Sequence, residues 1–272
     1  LNQKMLNEFF AKRDQEIKII SWLSVGMALF LLLSHLIGAG MERDGHSAPT
    51  QRAERAFPLS ELEAKAVYVY DARTKTVLFA KNQNIRLPLA SLTKVMAALV
   101  AENLSSGQDT VQISREDLQA DGDNGLKAGE RWSLKNLLDF SLLSSSNDGM
   151  AAVARFLGVS GTAIVGDQEI VDQFVRQMNA KAVELDLKNT YFWNETGLDE
   201  SAVKGGAYGT ARDMATLLEY IIIYHPSTLE ATREACLTLS SLDQVDHIAK
   251  NTNDVAGKIP GLIASKTGFT TT

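Results

Sequence analysis

The sequence predicts an α/β fold: a sheet drawn from both ends of a globular region, an inserted helical middle, and a membrane-spanning helix ahead of them. Three observations carry this. Short β-rich runs lie at residues 66–70 and 76–80 and again at 261–268, while apolar residues between them recur with helical spacing. Residues 19–41 contain no Asp, Glu, Lys or Arg. Strands that must cover a helical segment lying between them in the chain produce a layered α/β arrangement.

Taking the elements in order, 23 uncharged residues from Ile19 to Met41 suffice to cross roughly 30 Å of hydrocarbon as a helix. Gly38-Ala39-Gly40 would suit a signal peptidase, but the 18 residues ahead of the run are long for a signal sequence, so an uncleaved anchor is expected. Lys4, Lys12, Arg13 and Lys18 precede the span and Arg43, Arg52 and Arg55 follow it. That slight bias places the N-terminus inside. The expected organisation is an inner segment 1–18, an anchor 19–41, a polar linker 42–57 and a globular domain 58–272. The chain starts at Leu1 and stops at Thr272 within an expected strand, and so reads as a fragment truncated at its C-terminus.

Ala66-Val67-Tyr68-Val69-Tyr70 and Thr76-Val77-Leu78-Phe79-Ala80 flank the polar Asp71–Lys75 and read as a hairpin. Leu92, Val95, Met96, Leu99 and Val100 follow the i, i+3, i+4, i+7, i+8 pattern of an amphipathic helix. Ser133 is placed to cap a helix carrying Leu134, Leu137 and Leu138. Further helices are expected from Asp148 to Phe156, around Phe174, Met178 and Ala182, and from Ala211 to Tyr224, where Pro226 stops the pattern. Gly261-Leu262-Ile263-Ala264-Ser265-Lys266-Thr267-Gly268 reads as a late strand.

Composition removes several function classes. At 45% hydrophobic and 22% charged the 272-residue chain is neither disordered nor collagen-like. Its net charge is 27 − 33 = −6 and no basic run appears, so no nucleic-acid partner is expected. The single cysteine, Cys236, cannot form an intrachain disulfide and is expected as a small core residue. No Cys/His cluster has metal-ligand spacing, so neither a metal nor a cofactor is expected. Asp121-Gly122-Asp123-Asn124-Gly125 lacks the downstream Glu of a calcium loop and reads as a solvated turn.

Three short patterns could carry chemistry: Ser91-Leu92-Thr93-Lys94, Ser145-Ser146-Asn147 and Lys266-Thr267-Gly268. With 20 Ser and 15 Lys in 272 residues, chance alone gives about one Ser-x-x-Lys, whereas Lys-Thr-Gly is expected only about 0.07 times. A second Ser-x-x-Lys exists at Ser201-Ala202-Val203-Lys204, beside Gly205-Gly206 and without a helix to orient it. Ser91 instead opens the apolar helix, at its positive end, and Lys94 returns to the same face three residues later. A serine hydroxyl needs a neighbour to remove its proton. None of His35, His46, His225 and His247 lies in a nucleophile-elbow or zinc-protease pattern, which leaves lysine as the base. Keeping a lysine neutral at pH 7 costs about 4.6 kcal/mol against its reference pKa, to be met by burial and nearby positive charge. Lys266 is a candidate for that charge, and its cation could also hold a substrate carboxylate.

These motifs, together with Leu87–Met96, Leu143–Asp148, Phe192–Asp199, Asn251-Thr252-Asn253 and Ser265–Phe269, resemble the serine-type D-Ala-D-Ala carboxypeptidases, low-molecular-weight penicillin-binding proteins of peptidase family S11. The resemblance covers roughly residues 63–272. It implies a β-lactamase/transpeptidase-like fold, an antiparallel sheet with a mostly helical insertion. It also implies that Ser91 attacks the penultimate D-Ala carbonyl of a peptidoglycan stem peptide, with Lys94 as general base and Ser145 relaying protons. Asn147, Lys266, Thr267 and Gly268 would bind substrate, and the backbone N–H groups of Ser91 and Phe269 would form the oxyanion hole. β-Lactams would acylate Ser91, and the domain would face the outside of a bacterial membrane. In that family further strands follow Lys-Thr-Gly, whereas here four residues follow Gly268.

Other readings remain beside this one. Ser145 could be a helix cap, Asn147 a turn residue, Thr267-Gly268 a plain strand end, and Asn194-Glu195-Thr196 a structural turn rather than a glycosylation site. A serine β-lactamase shares the three motifs, but Glu184-Leu185-Asp186-Leu187-Lys188 has Lys where its Glu-x-x-Leu-Asn element needs Asn. A peptidoglycan endopeptidase and a non-catalytic wall-binding protein complete the alternatives.

Overall fold

Alternating β-branched and aromatic residues that run into a polar turn make the first element. β1 (Val67–Asp71) and β2 (Thr76–Lys81) pair antiparallel, with a bulge between Val69 and Tyr70. Asp71 Oδ1 closes the turn by accepting from the N–H groups of Arg73 and Thr74 at 2.9 and 3.1 Å, as short acidic side chains do in turns. The computed structural model describes residues 62–105, 107–122, 125–158 and 166–271. The expected inner segment, the anchor and the whole 42–61 stretch, with the expected linker 42–57, therefore lie outside the described residues, as do Asp123 and Asn124 of the 121–125 turn. Among the described residues no helix is long and apolar enough to cross a membrane.

Among the described residues five α-helices follow: α1 (Thr93–Leu104), α2 (Leu134–Leu143), α3 (Asn147–Gly158), α4 (Asp167–Glu184) and α5 (Ala211–Tyr224). Ser133 caps α2, its side chain accepting from Asn136 N–H, and Thr210 caps α5 through Asp213 N–H; both residue types suit the unpaired donors of a first turn. α1 is not the amphipathic surface helix its leucines and valines suggested. Every residue from Thr93 to Ala101 is buried, because Ala97, Ala98 and Ala101 fill the remaining faces with side chains small enough for neighbours to close in. Those neighbours are α2, α3, α4 and α5, so α1 is a central helix, buried on every side from Thr93 to Ala101.

The single sheet does not form among the described residues. Four small antiparallel units stand instead: β1 with β2; β3 (Leu87–Pro88), β7 (Ala207–Gly209) and β6 (Tyr191–Phe192) in that order; β4 (Thr110–Gln112) with β5 (Arg131–Ser133); and β8 (Cys236–Ser240) with β9 (Asp246–Lys250). The expected late strand is also corrected. Residues 261–268 carry no ladder; Ser265 N–H donates to Thr232 Oγ1 at 3.0 Å and Ser265 Oγ to Thr232 O at 2.9 Å. An extended segment counts as a strand only when a neighbour supplies the facing N–H and C=O groups, and here side-chain bonds substitute for them. Cys236 is exposed at the start of β8, not in the core.

α4 illustrates how the core is held. Phe174, Met178 and Ala182 recur at i, i+4, i+8 and are 0–2% exposed. Phe174→Ala would delete a fully buried ring, which costs about 3–5 kcal/mol. Urea denaturation should show that loss as a lower midpoint with an unchanged slope.

Candidate active site

The site begins with a strained turn. Residues Ala90–Leu92 form a 3-10 turn immediately before α1, and Ala90 has φ +46°, a left-handed conformation that costs a non-glycine residue of order 1–2 kcal/mol. Gly197 makes this turn possible by lying against it. A Cβ at position 197, itself at φ +80°, would fall 1.9 Å from the Ala90 carbonyl oxygen. Ser91 therefore sits in the turn that leads into α1, ahead of its first α-helical residue, and Lys94 lies on the first turn of α1.

Lys94 has no exposed surface, and its Nζ meets three oxygens. It lies 3.0 Å from Ser91 Oγ, 2.6 Å from Asn147 Oδ1 and 2.8 Å from the Thr196 carbonyl oxygen. None of these partners carries a full charge. Burial first, and then the Lys266 cation, push the amine's pKa down to about 7, against the pull of the Glu195 carboxylate. Asn147 opens α3, and its amide is engaged at both ends: Oδ1 accepts from Lys94 while Nδ2 donates to the Asp121 carbonyl. The Asp121 carbonyl thus has a task, which is to hold the amide that holds the lysine.

Ser145 and Ser146 divide their roles clearly. Ser146 is buried and its Oγ accepts from Gly149 N–H at 3.1 Å, capping α3. Ser145, at φ +62°, is left to turn its Oγ toward Lys266 Nζ, 3.0 Å away. The cap reading of Ser145 is therefore replaced by Ser146. Lys266 also donates to the Thr267 carbonyl at 2.9 Å, and burial lowers its pKa to about 8. Thr267 Oγ1 donates to Thr252 Oγ1 at 2.6 Å, and Thr252 N–H bonds Leu143 O just before the Ser145 turn.

Gly268 is needed for a reason internal to the protein. A Cβ there would meet Leu89 O at 3.0 Å, Ala90 Cβ at 3.2 Å and Ser91 N at 3.3 Å, so its missing side chain lets the 266–269 segment lie against the Ser91 turn. Phe269 is 87% exposed. The other serine–lysine pair is elsewhere: Lys204 Nζ stands 4.9 Å over the Trp193 ring, and Ser201 pairs with Lys204 in an isolated bridge. Glu184 is on an exposed face with Lys181 and takes no part in the site.

Two acidic residues entered the site without a sequence signal that singled them out. Glu195 is 8% exposed and burial raises its pKa, with the Lys94 charge opposing the rise. Asp199 accepts from Thr270 Oγ1 with both oxygens at 2.8 Å, tying the loop after Gly197 to the segment after Gly268. Both lie within the 192–199 stretch, whose Asn-x-x-Gly core is legible as a turn only.

Comparison with known proteins bears on the family and the fold. Residues 50–272 match the family model described as D-alanyl-D-alanine carboxypeptidase, Peptidase_S11. The chain is 33% identical over 260 residues to the D-alanyl-D-alanine carboxypeptidase DacF of Bacillus subtilis, covering 93% of this chain and 60% of that one. It is 30% identical over 221 residues to a D-alanyl-D-alanine endopeptidase of Pseudomonas aeruginosa, covering 77% and 64%. The chain thus spans about 60% of the length of these curated relatives. Among solved structures, a D-alanyl-D-alanine carboxypeptidase from Mycobacterium tuberculosis superposes with a TM-score of 0.65 at 30% identity, over 76% of this chain and 73% of that one. The mixed helix-and-sheet fold is that of the penicillin-binding DD-peptidases, and the chain belongs to the D-alanyl-D-alanine carboxypeptidase family S11.

Proposed function

We propose that this chain is a serine-type D-Ala-D-Ala carboxypeptidase acting on peptidoglycan stem peptides. One observation carries the reading: Lys94 Nζ, fully buried, has three oxygen neighbours. A neutral amine has two N–H bonds and one lone pair. Asn147 Oδ1 and the Thr196 carbonyl can only accept, so they take the two N–H bonds, and the lone pair is left for the Ser91 hydroxyl. The amine then withdraws the Ser91 proton as Oγ attacks the penultimate D-Ala carbonyl. The Oγ–H bond breaks, an Nζ–H bond forms, and the new ester carries the shortened peptide.

The C–N bond to the terminal D-Ala then breaks with its electron pair leaving on nitrogen, and the proton held on Lys94 would be delivered to that nitrogen with Ser145 Oγ as relay, which returns Lys94 to its neutral form. Lys266 and Thr267 would hold the terminal carboxylate, with Asn147 fixing the peptide from the other side of the cleft. Gly268 admits the 266–269 segment to the Ser91 turn, so the N–H groups of Ser91 and Phe269 could converge on the developing oxyanion; one such donor contributes about 2.7–4 kcal/mol to the transition state. Water then cleaves the ester. β-Lactams would acylate Ser91 in the same way. The endopeptidase name of the Pseudomonas relative supports a variant in which the leaving group is a crosslinked rather than a free D-Ala. For location, the 23 uncharged residues 19–41 support a single-pass anchor with the domain outside a bacterial membrane.

Three outcomes test this reading. Fluorescent penicillin should label the protein at Ser91, and Ser91→Ala should abolish the band; labelling that survives the substitution overturns the assignment. The acylation rate should follow a bell in pH. It rises as Lys94 loses its proton near pH 7 and falls as Lys266 loses its own near pH 8, since the base must be neutral and the anchor charged. Deleting residues 1–41 should move the expressed chain from the membrane fraction to the supernatant, with penicillin labelling kept.

A further inference from the structure

The two N–H groups assigned to the oxyanion hole come from segments far apart in the chain. Ser91 stands in the turn that enters α1, whereas Phe269 lies in the 266–270 stretch, which has no ladder partner among the described residues. Among those residues no group accepts from the Phe269 N–H, so the donor is open to a ligand and no bond of its own fixes it. The Phe269 side chain is 87% exposed and anchors nothing. The donor must therefore be placed by the side chains on either side of it. Ahead of it, Lys266 Nζ reaches Ser145 Oγ at 3.0 Å and Thr267 Oγ1 reaches Thr252 Oγ1 at 2.6 Å. Behind it, Thr270 Oγ1 lies 2.8 Å from each carboxylate oxygen of Asp199.

The Asp199 end of that tether is tied in turn to the Ser91 side of the site. Asn194 Oδ1 accepts from Gly197 N–H at 2.7 Å and Asn194 Nδ2 donates to Leu198 O at 2.9 Å, which closes the turn just before Asp199. The N–H groups of Trp193 and Asn194 both reach Gly206 O. This turn touches the nucleophile's surroundings twice. Thr196 O is 2.8 Å from Lys94 Nζ, and Gly197 lies so close to the Ala90 carbonyl that a Cβ would fall 1.9 Å from its oxygen.

We propose that Asp199 is a positioning residue for the oxyanion hole: by holding the Thr270 hydroxyl it sets where the Phe269 N–H stands relative to the Ser91 N–H. The role rests on the reading of Ser91 as nucleophile and of these two amides as the hole. Gly268 and Asp199 then have complementary tasks. The missing Cβ of Gly268 permits the segment to approach Ser91 N, and the bond one residue beyond Phe269 keeps it there. A carboxylate suits this, because hydrogen bonds to an ionised acceptor are roughly twice as strong as neutral ones. Preorganised donors act where charge develops in the transition state, so slack in the tether appears in the acylation step and not in the binding that precedes it.

Thr270→Val keeps the shape of the side chain and removes its hydroxyl. Its rate constant for acylation by penicillin should fall about tenfold or more, with the dissociation constant of the preceding non-covalent complex unchanged. Thr270→Ser, which keeps the hydroxyl, should retain the rate, and Asp199→Asn, whose amide oxygen still accepts, should lose less than Asp199→Ala. The ester carbonyl band of the acyl-enzyme, read by infrared difference spectroscopy, reports on the hole itself. A donor on the carbonyl oxygen weakens the C=O bond and lowers its frequency, so Thr270→Val should move the band to higher frequency. A folded Thr270→Val protein that acylates at the unsubstituted rate, or that slows with its band unmoved, overturns the proposal. A Thr270→Val protein that no longer folds while Thr270→Ser does so also overturns it, because the bond would then serve stability alone. The unsubstituted protein separates the two levels of the reading. If penicillin fails to label Ser91 there, the carboxypeptidase reading falls and the positioning role with it, whereas labelling at Ser91 with an unmoved band in Thr270→Val removes the positioning role alone.

Discussion

A lysine amine with no exposed surface, bonded to three oxygens, is the interaction on which the rest of this structure depends. A fall in pKa from 10.5 to about 7 corresponds to about 5 kcal/mol by which the surroundings disfavour the ammonium. Under the proposed mechanism that bias is what lets Lys94 act as a base, and only a rigid frame can maintain it, because a mobile lysine would reach water and regain its proton. The frame is α1, enclosed by four other helices. Its alanines serve the chemistry indirectly: they let those helices approach closely enough to exclude solvent from the first turn, where Lys94 stands.

The rigidity has a conformational cost, and it is concentrated where it is useful. Ala90 and Ser145 both have positive φ without being glycine, and each lies at or beside a serine of the site. Strained residues persist when their surroundings over-determine them. Gly197 presses on the Ala90 carbonyl and Gly268 lies against Ser91 N, so the Ser91 turn is held between two segments that can approach only because they lack a Cβ. At Ser145 the adjacent cap at Ser146 starts α3 one residue later and leaves the strained serine facing Lys266. Two neighbouring serines of identical chemistry thus acquire different tasks from backbone geometry alone.

Much of this was legible in the sequence, for identifiable reasons. The helix ends at Ser133 and Thr210 depend on local hydrogen bonds, and the Phe174–Ala182 face depends on spacing alone. Ser91 and Lys94 are one turn apart, so their meeting follows from helical geometry. The β8–β9 hairpin was missed although Leu237 and Leu239 alternate opposite His247 and Ala249, a period of two that was available to be read. The 261–268 segment misled for a different reason: its residues favour extension, but strand formation belongs to a pair, and the partner is not encoded within the run. Asp199 was illegible because its bond with Thr270 joins positions far apart in the chain, and Glu195 because no local pattern distinguishes a buried glutamate in a turn from an exposed one.

The two lysines show how a single chain can assign opposite duties to one residue type. Each faces a serine hydroxyl at 3.0 Å, so hydrogen bonding alone does not tell the proposed base from the proposed anchor. Depth does. Lys94 is wholly enclosed and also feels the Lys266 cation, while Lys266 is only partly buried and its fall has burial as its cause. Of two like charges in one cleft, the first to be given up belongs to the group with less access to water. Lys94 therefore becomes the neutral partner, and the positive charge stays on Lys266 at the more open side, where a substrate carboxylate would arrive. Exchanging the depths of the two side chains, with every motif left intact, would exchange their roles.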